Sequence, residues 1–118
     1  MSGVSYAQSE RVQELSSIVF GQKHRLAVMA AIAQSDGLVN PSDLAEELNF
    51  RAQSAIQAPL KDLQSAGLIT RQDGMGRVYY RRNPHALWNA ALELLGQALA
   101  EDTPSQRGSR AARELDRY

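Results

Sequence analysis

The feature that most constrains the fold is a change in the spacing of apolar residues midway along the chain, from a helical period to a strand period. Ile56, Leu60 and Leu63 recur at the spacing of about 3.6 residues that gives a helix one apolar face. Gly67 follows where the end of a helix favours a left-handed residue. The pattern predicts a helix over about residues 52–66, with small and amide side chains on its outer face.

A β-hairpin is predicted directly after this helix. Residues 68–70 (Leu-Ile-Thr) and 78–80 (Val-Tyr-Tyr) have the composition of strands. Between them, residues 73–76 (Asp-Gly-Met-Gly) form a turn with two glycines able to take positive φ. We call the predicted hairpin, about residues 69–82, the wing.

Pro59 leaves two arrangements of the helix open. Inside a continuous helix it would remove the hydrogen bond to the Ala55 carbonyl, at a cost of about 3 kcal/mol, and would kink the helix. Alternatively, it begins a shorter helix, with residues 51–58 forming a separate turn. The second arrangement would move Gln53 and Gln57 relative to any bound partner.

Capping signals and apolar periodicity predict the remaining elements. They are a helix from a Ser9 N-cap to about Phe20, an apolar central helix from about Gln22 to Ser35, a short strand at Leu38-Val39 that pairs with the hairpin, a helix with Asn40 as N-cap and Pro41 at N1, and a last helix opened by Asn83-Pro84 and reaching about Ala100. The fold class is therefore mainly α with a small β-hairpin (α+β). We expect residues 1–8 to form a flexible leader, 9–100 a single domain, and 101–118 a polar, partly disordered tail.

Composition limits the kinds of function open to the chain. With 118 residues, 43% of them hydrophobic, it can build one core. It has no cysteine, which excludes disulfides and thiolate metal sites. It has no apolar run near the ~20 residues of a membrane span, so we expect no membrane partner and a cytoplasmic location. No glycine-rich phosphate loop or catalytic triad spacing is present, and we expect no enzyme activity.

Charge is polarised along a chain whose net charge is zero. Residues 51–82 contain six cationic side chains against two carboxylates, whereas residues 1–50 have an excess of three negative charges. Clustered arginine and lysine are expected where a protein contacts phosphates. The predicted helix and wing are therefore candidates for contact with nucleic acid.

Four segments together resemble the ArsR-type winged helix-turn-helix repressors. They are residues 22–29 (Gln-Lys-His-Arg-Leu-Ala-Val-Met), 43–48 (Asp-Leu-Ala-Glu-Glu-Leu), 60–69 (Leu-Lys-Asp-Leu-Gln-Ser-Ala-Gly-Leu-Ile) and 76–84 (Gly-Arg-Val-Tyr-Tyr-Arg-Arg-Asn-Pro). The resemblance covers about residues 20–95. Its motifs distinguish winged helices from other folds better than they distinguish ArsR-type from MarR-type members. A MarR-type winged helix is therefore the second choice. The predicted elements follow the order α-α-(β)-α-α-β-β-α, and the resemblance implies a homodimer, formed through the first and last helices, that binds a pseudo-palindromic operator in double-stranded DNA and represses transcription. Two departures from the pattern are an extra residue within 49–54 and Pro59 itself.

On this reading, the helix over residues 52–66 enters the major groove and the wing lies beside it. The side chains expected to contact DNA are Arg51, Gln53, Ser54, Gln57, Lys61, Arg71, Arg77 and Arg81. Amide side chains can pair bidentately with adenine, so Gln53 and Gln57 would read bases, whereas Ser54 and Lys61 would hold phosphates. Arg77 at the wing tip would enter or border the minor groove. Arg82, together with Arg71 and Arg81, would add attraction to the DNA backbone. For each helix side chain taken alone, a solvated face is an equally good explanation.

The dimer interface predicted with this resemblance uses apolar residues of the first and last helices. They are Leu15, Val19, Leu87, Trp88, Ala91, Leu95 and Leu99. ArsR-type sensors hold metal with cysteines or with sets of histidines and carboxylates, but this chain has only His24 and His85, so we expect no metal site and no cofactor. The sequence identifies no small-molecule or protein effector. The alternative function is a winged-helix module that contacts proteins without specific DNA binding, which the neutral net charge favours.

Overall fold

The computed structural model describes residues 5–102. In order, its elements are a 3-10 helix at Tyr6–Gln8, α1 (Glu10–Phe20), α2 (Arg25–Gln34), β1 (Leu38–Val39), α3 (Pro41–Glu47), α4 (Ser54–Ser65), β2 (Ile69–Gly74), β3 (Arg77–Arg82) and α5 (Leu87–Asp102). The predicted order of elements is confirmed. The leader residues 1–4 and the tail residues 103–118 lie outside the described part of the chain. None of the helices among residues 5–102 is long and apolar enough to cross a membrane.

Helix α2 is the centre of the core, as its composition predicted. Every residue from Leu26 to Ile32 is buried, and the helix contacts α1, α4 and α5. The turn that leads into α2 is fixed by Ser16 of α1, which is fully buried. The Ser16 hydroxyl donates to the Gln22 carbonyl and accepts from the Leu26 amide, so its burial leaves no polar atom unsatisfied.

Residues 5–8, which were expected to belong to a flexible leader, make specific contacts. Ser5 and Gln8 form a capping box around the 3-10 helix, and both side chains donate to the Leu48 carbonyl at the end of α3. Ala7 is fully buried, and burial raises the pKa of Tyr6 to about 12. This part of the leader thus joins α3 to the core.

The wing is the two-stranded part of a three-stranded antiparallel sheet with the order β1-β3-β2. Strand β3 lies in the middle, with Val39 opposite Tyr80 on one side and Arg71 opposite Tyr80 on the other. The predicted pairing of Leu38 and Val39 with the hairpin is confirmed. Because β1 leads directly into α3, this pairing fixes the wing relative to α3.

Helix α5 begins later than predicted. Asn83 is not its N-cap: its side-chain amide donates to the Gly67 carbonyl and the Thr70 hydroxyl, and its own carbonyl accepts from the Trp88 indole. With these bonds Asn83 closes the base of the wing. The helix therefore starts later, at Leu87. The Asn-Pro pair that resembled a helix start is part of the connection before it.

Candidate nucleic-acid interface

Helix α4 is continuous through Pro59, so the alternative in which Pro59 begins a shorter helix is wrong. The proline φ is compatible with a helix, and its ring is buried with Ile56, Leu60 and Leu63 on the core side. The buried ring adds apolar contact on the core side of the helix. The exposed face of the helix is therefore a single surface from Ser54 to Ser65.

The start of α4 differs from the prediction in one respect. Arg51 and Gln53 lie in the turn before the helix, and Ser54 is its exposed first residue. The Gln53 amide does not cap the helix; it donates to the Ser42 hydroxyl of α3 over 2.7 Å. Gln53 therefore links the two helices, and its amide is less free to read a base than the sequence indicated.

Gln57 and Lys61 occupy the middle of the exposed face. Within residues 5–102, neither side chain has a hydrogen bond or an ion pair with another side chain. Both line a groove of about 410 Å³ whose opposite wall includes Tyr80 of the wing. These two polar side chains are thus presented beside the wing with their hydrogen-bonding capacity unused.

A second groove of about 410 Å³ adjoins the first and extends toward the wing tip. Pro41, Gln57 and Tyr80 line both grooves, and Arg71 and Arg77 line only the second. We call the two together the furrow. It brings the amide face of α4 and two arginines of the wing onto one concave surface.

Asn40 fixes the geometry of the furrow. Its side-chain oxygen accepts from the Asp43 amide as the N-cap of α3, and its side-chain nitrogen donates to the Val78 carbonyl over 2.9 Å. The residue is 8% exposed, so both bonds are sheltered from water. One side chain thus joins the start of α3 to β3, the middle strand of the sheet.

The arginines near the wing tip are paired with carboxylates. Arg71 Nε lies 2.9 Å from Asp73 Oδ1, and this bond raises the pKa of Arg71 above its already high ordinary value. Arg77 Nη2 lies 3.5 Å from Asp43 Oδ2, and its guanidinium sits 5.7 Å from the centre of the Tyr79 ring. All of these groups are well exposed, so the ion pairs are weak and can be exchanged for contacts with a charged partner.

Adjacent arginines at the end of β3 have different surroundings. Arg82, expected to attract DNA, instead reaches the end of α2, where its Nη1 lies 2.7, 3.0 and 3.1 Å from the carbonyl oxygens of Ile32, Ala33 and Ser35. A cation at the negative end of the helix dipole is stabilising there. Arg81 points to the other face of the sheet, is exposed, and has no ion pair among the described residues. The Arg82 prediction is wrong because alternation along the strand turns its side chain inward.

The residues expected at a dimer interface fall into two groups. Leu15, Trp88, Ala91 and Leu95 are at most 6% exposed and belong to the core of the single chain, and Leu99 is half-buried against that core. By contrast, Val19 is 54% exposed and Leu87 is 37% exposed, with Ile18 at 68% beside them. Val19 and Leu87 line a shallow apolar groove between the end of α1 and α5.

Histidine and carboxylate side chains do not gather into a candidate metal site within residues 5–102. His24 instead contacts the Phe50 ring edge-on, with 4.7 Å between ring centres. Its pKa is lowered by burial and, secondarily, by the positive charge of Lys23. His24 therefore supports the turn that precedes α4.

Comparison with solved structures identifies the architecture. A crystal structure of a transcriptional regulator of the MarR family from Silicibacter pomeroyi superposes with a TM-score of 0.61 and 17% identity, covering 94% of this chain and 78% of that one. The fold is a winged helix-turn-helix. Two structures of the organohalide-sensing transcriptional regulator RdhR each give a TM-score of 0.59. The form with 2,4-dichlorophenol bound is 17% identical and covers 93% of this chain and 69% of that one. The ligand-free form is 16% identical and covers 94% of this chain and 69% of that one. No family model and no curated protein matches the sequence.

These matches bear on the resemblance found in the sequence. They support the MarR-type alternative at the level of the fold, and the ArsR-type choice is unconfirmed. The matched proteins are transcriptional regulators. In the winged helix-turn-helix, α3 and α4 form the helix pair and β2 and β3 form the wing.

Three contributors to the furrow were not singled out as site residues. Asn40 was recognised only as an N-cap, because nothing in a sequence shows which acceptor its side-chain nitrogen bonds. Ser42 carried no signal at all. Tyr80 belongs to the strand pattern, and only the structure shows that it lines one groove with residues of α4.

Proposed function

We propose that the chain is a sequence-specific DNA-binding regulator of transcription, acting as a repressor. The exposed face of α4 enters the major groove, whose width of about 12 Å admits a helix. The wing follows the adjacent backbone and minor groove. The observation that carries the proposal is the furrow, in which unpaired Gln57 and Lys61 face wing arginines across one concave surface.

Each side chain has a role that follows from its surroundings. Gln57 reads a base edge, because its amide is exposed and unpaired in the middle of α4. Lys61, Ser54 and Arg51 contact phosphates around the helix, and Arg71, Arg77 and Arg81 contact the backbone and minor groove from the wing. Gln53 acts mainly by fixing α4 against Ser42.

The regulator acts as a homodimer in this proposal. The exposed apolar side chains of Ile18, Val19 and Leu87 lie at the end of α1 and the start of α5 and line neither groove of the furrow, and a second copy would cover them. Two copies related by a two-fold axis would present two α4 helices to a pseudo-palindromic operator. Sedimentation of Val19→Glu should then show a monomer, with Gln64→Glu, at an exposed position on α4, as the control that leaves the dimer intact.

Binding to DNA from the region upstream of the chain's own gene tests the proposal. Fluorescence anisotropy at about 50 and 200 mM salt should give specific binding that weakens 10-fold or more at the higher salt, as expected where several phosphates are contacted. A scrambled duplex of the same composition is the control. Absent binding, or equal affinity for both duplexes, would remove the proposal.

A module that contacts proteins is the second candidate. The observation that favours it is the pairing of Arg71 with Asp73 and of Arg77 with Asp43, which reduces the positive potential of the wing. Equal, weak binding to all duplexes in the same titration is the result that would support this candidate.

A further inference from the structure

Met75 occupies the tip of the wing and is 98% exposed, the highest exposure among the large hydrophobic residues of the described chain. Two other exposed apolar side chains, Val19 and Leu87, line a groove that includes further apolar atoms. Met75 has no such neighbours. Its side chain projects from the end of the hairpin into solvent.

The backbone at this position also disfavours methionine. Met75 has φ of 52° and Gly76 has φ of 77°, so the two-residue turn has positive φ at both central positions. Such turns strongly prefer asparagine, aspartate or glycine at the first position, because a side chain in the left-handed region costs about 1–2 kcal/mol. Methionine therefore stands where both water contact and backbone conformation favour another residue.

The surroundings of the tip point toward a groove in DNA. Arg77 follows two residues later, and Arg71 lies across the hairpin beside the furrow. Cationic side chains are drawn to the minor groove by its negative potential. The flanking glycines, Gly74 and Gly76, have nothing within 4 Å of the position a Cβ would take, so the tip is narrow and unobstructed.

We propose that Met75 is an apolar minor-groove contact, inserted beside Arg77 when α4 occupies the adjacent major groove. The inference rests on the proposed function and adds to it a binding residue at the tip. Apolar side chains, methionine among them, are inserted by minor-groove proteins between base steps. Met75, with its left-handed backbone, holds its side chain exposed at the turn between β2 and β3.

A substitution that improves the turn and removes the apolar tip tests this proposal. Met75→Asn suits the left-handed conformation, so its thermal unfolding midpoint should be equal to or higher than that of the wild type. Its affinity for the operator should nevertheless fall about fivefold, because part of a methionine side chain is no longer buried. A stabilised hairpin with weakened binding is a combination that a purely structural residue would not give.

Met75→Leu is the matched control, since it keeps an apolar side chain of similar size. It should bind within about twofold of the wild type. Operator affinity of Met75→Asn equal to that of the wild type would overturn the inference while leaving the proposed function in place. Failure of the wild-type protein itself to distinguish operator from scrambled DNA would overturn both.

Discussion

The two sides of the furrow hold their polar side chains differently. On α4, Gln57 and Lys61 are exposed and have no side-chain partner among the described residues. On the wing, Arg71 and Arg77 are each paired with a carboxylate, and Arg82 is used to hold α2. The helix is therefore ready to form new hydrogen bonds, whereas the wing has to exchange existing ion pairs for contacts with its partner.

This difference was not expected from the sequence. There, Pro59 left two placements of Gln53 and Gln57 open, whereas the wing had no such alternative. In the structure Pro59 lies within a continuous helix, and one of the wing arginines is structural. A count of charges along a strand overestimates the charge that is free to bind.

The largest expected effect separates the two adjacent arginines of β3. Arg82→Ala should lower the free energy of unfolding by about 2 kcal/mol, because it removes charge-assisted bonds to three carbonyls at the end of α2. Arg81→Ala, its exposed neighbour, should change stability by less than about 0.5 kcal/mol and weaken DNA binding instead. Urea denaturation of both variants checks this, and equal losses of stability would contradict the assignment.

Particular residues show how far the sequence could predict the fold. Helix periods, the Asn40-Pro41 start of α3 and the glycines of the wing are local signals, so the elements and their order followed from them. The roles of Gln53, Arg82 and Asn83 depend on atoms far away in the chain: Ser42, the α2 carbonyls and Gly67. Such long-range partners leave no mark on spacing or composition.

The same limit applies to the apolar residues. Periodicity indicated that α5 has a wide apolar surface, but it could not divide that surface between the core and a partner. Trp88 proves to be core, since its indole donates to Asn83 and its ring is 5% exposed. Only the packed structure leaves Val19 and Leu87 as the exposed part.

The next effect concerns the helix side of the comparison. Gln57→Ala should alter which operator variants are preferred, with a loss of about 1–2 kcal/mol confined to the base pair that Gln57 contacts. Lys61→Ala should weaken binding to all duplexes alike, because a phosphate contact has no sequence preference. Competition titrations against operators changed one base pair at a time distinguish the two patterns. Parallel losses across every duplex for both variants would show that α4 does not read bases.

A smaller effect tests whether the wing exchanges its ion pairs. Arg77→Ala should weaken binding by about 1 kcal/mol, whereas Asp43→Asn should strengthen it by a few tenths of a kcal/mol, because Arg77 is released from a weak surface pair. In the double variant the gain from Asp43→Asn should disappear. A gain that persists without Arg77 would mean that Asp43 acts on DNA by general repulsion and that the pair does not restrain the wing.

The smallest effect depends on pH and concerns the support beneath α4. Burial lowers the pKa of His24 below its ordinary value of 6.5, so the folded chain favours the neutral imidazole and the unfolded chain takes up the proton more readily. The stability that His24 contributes is therefore present above about pH 6.5 and is lost as the pH falls below it. Urea denaturation at pH 7.5 and 5.5 should show a larger drop for the wild type than for His24→Gln. Equal drops in the free energy of unfolding would show that His24 does not cause the pH dependence.

The central claim is that the residues of the furrow contact the major groove of DNA and the adjacent minor groove. Footprinting the operator with two reagents tests this claim most directly. Methylation of guanine N7 reports on the major groove, and hydroxyl-radical cleavage reports on the sugars that line the minor groove. The account predicts major-groove protection by α4 with minor-groove protection about half a helical turn away, ~5 base pairs, and loss of only the second in Arg77→Ala. Protection confined to the major groove, or a minor-groove footprint unchanged in Arg77→Ala, would contradict the claim.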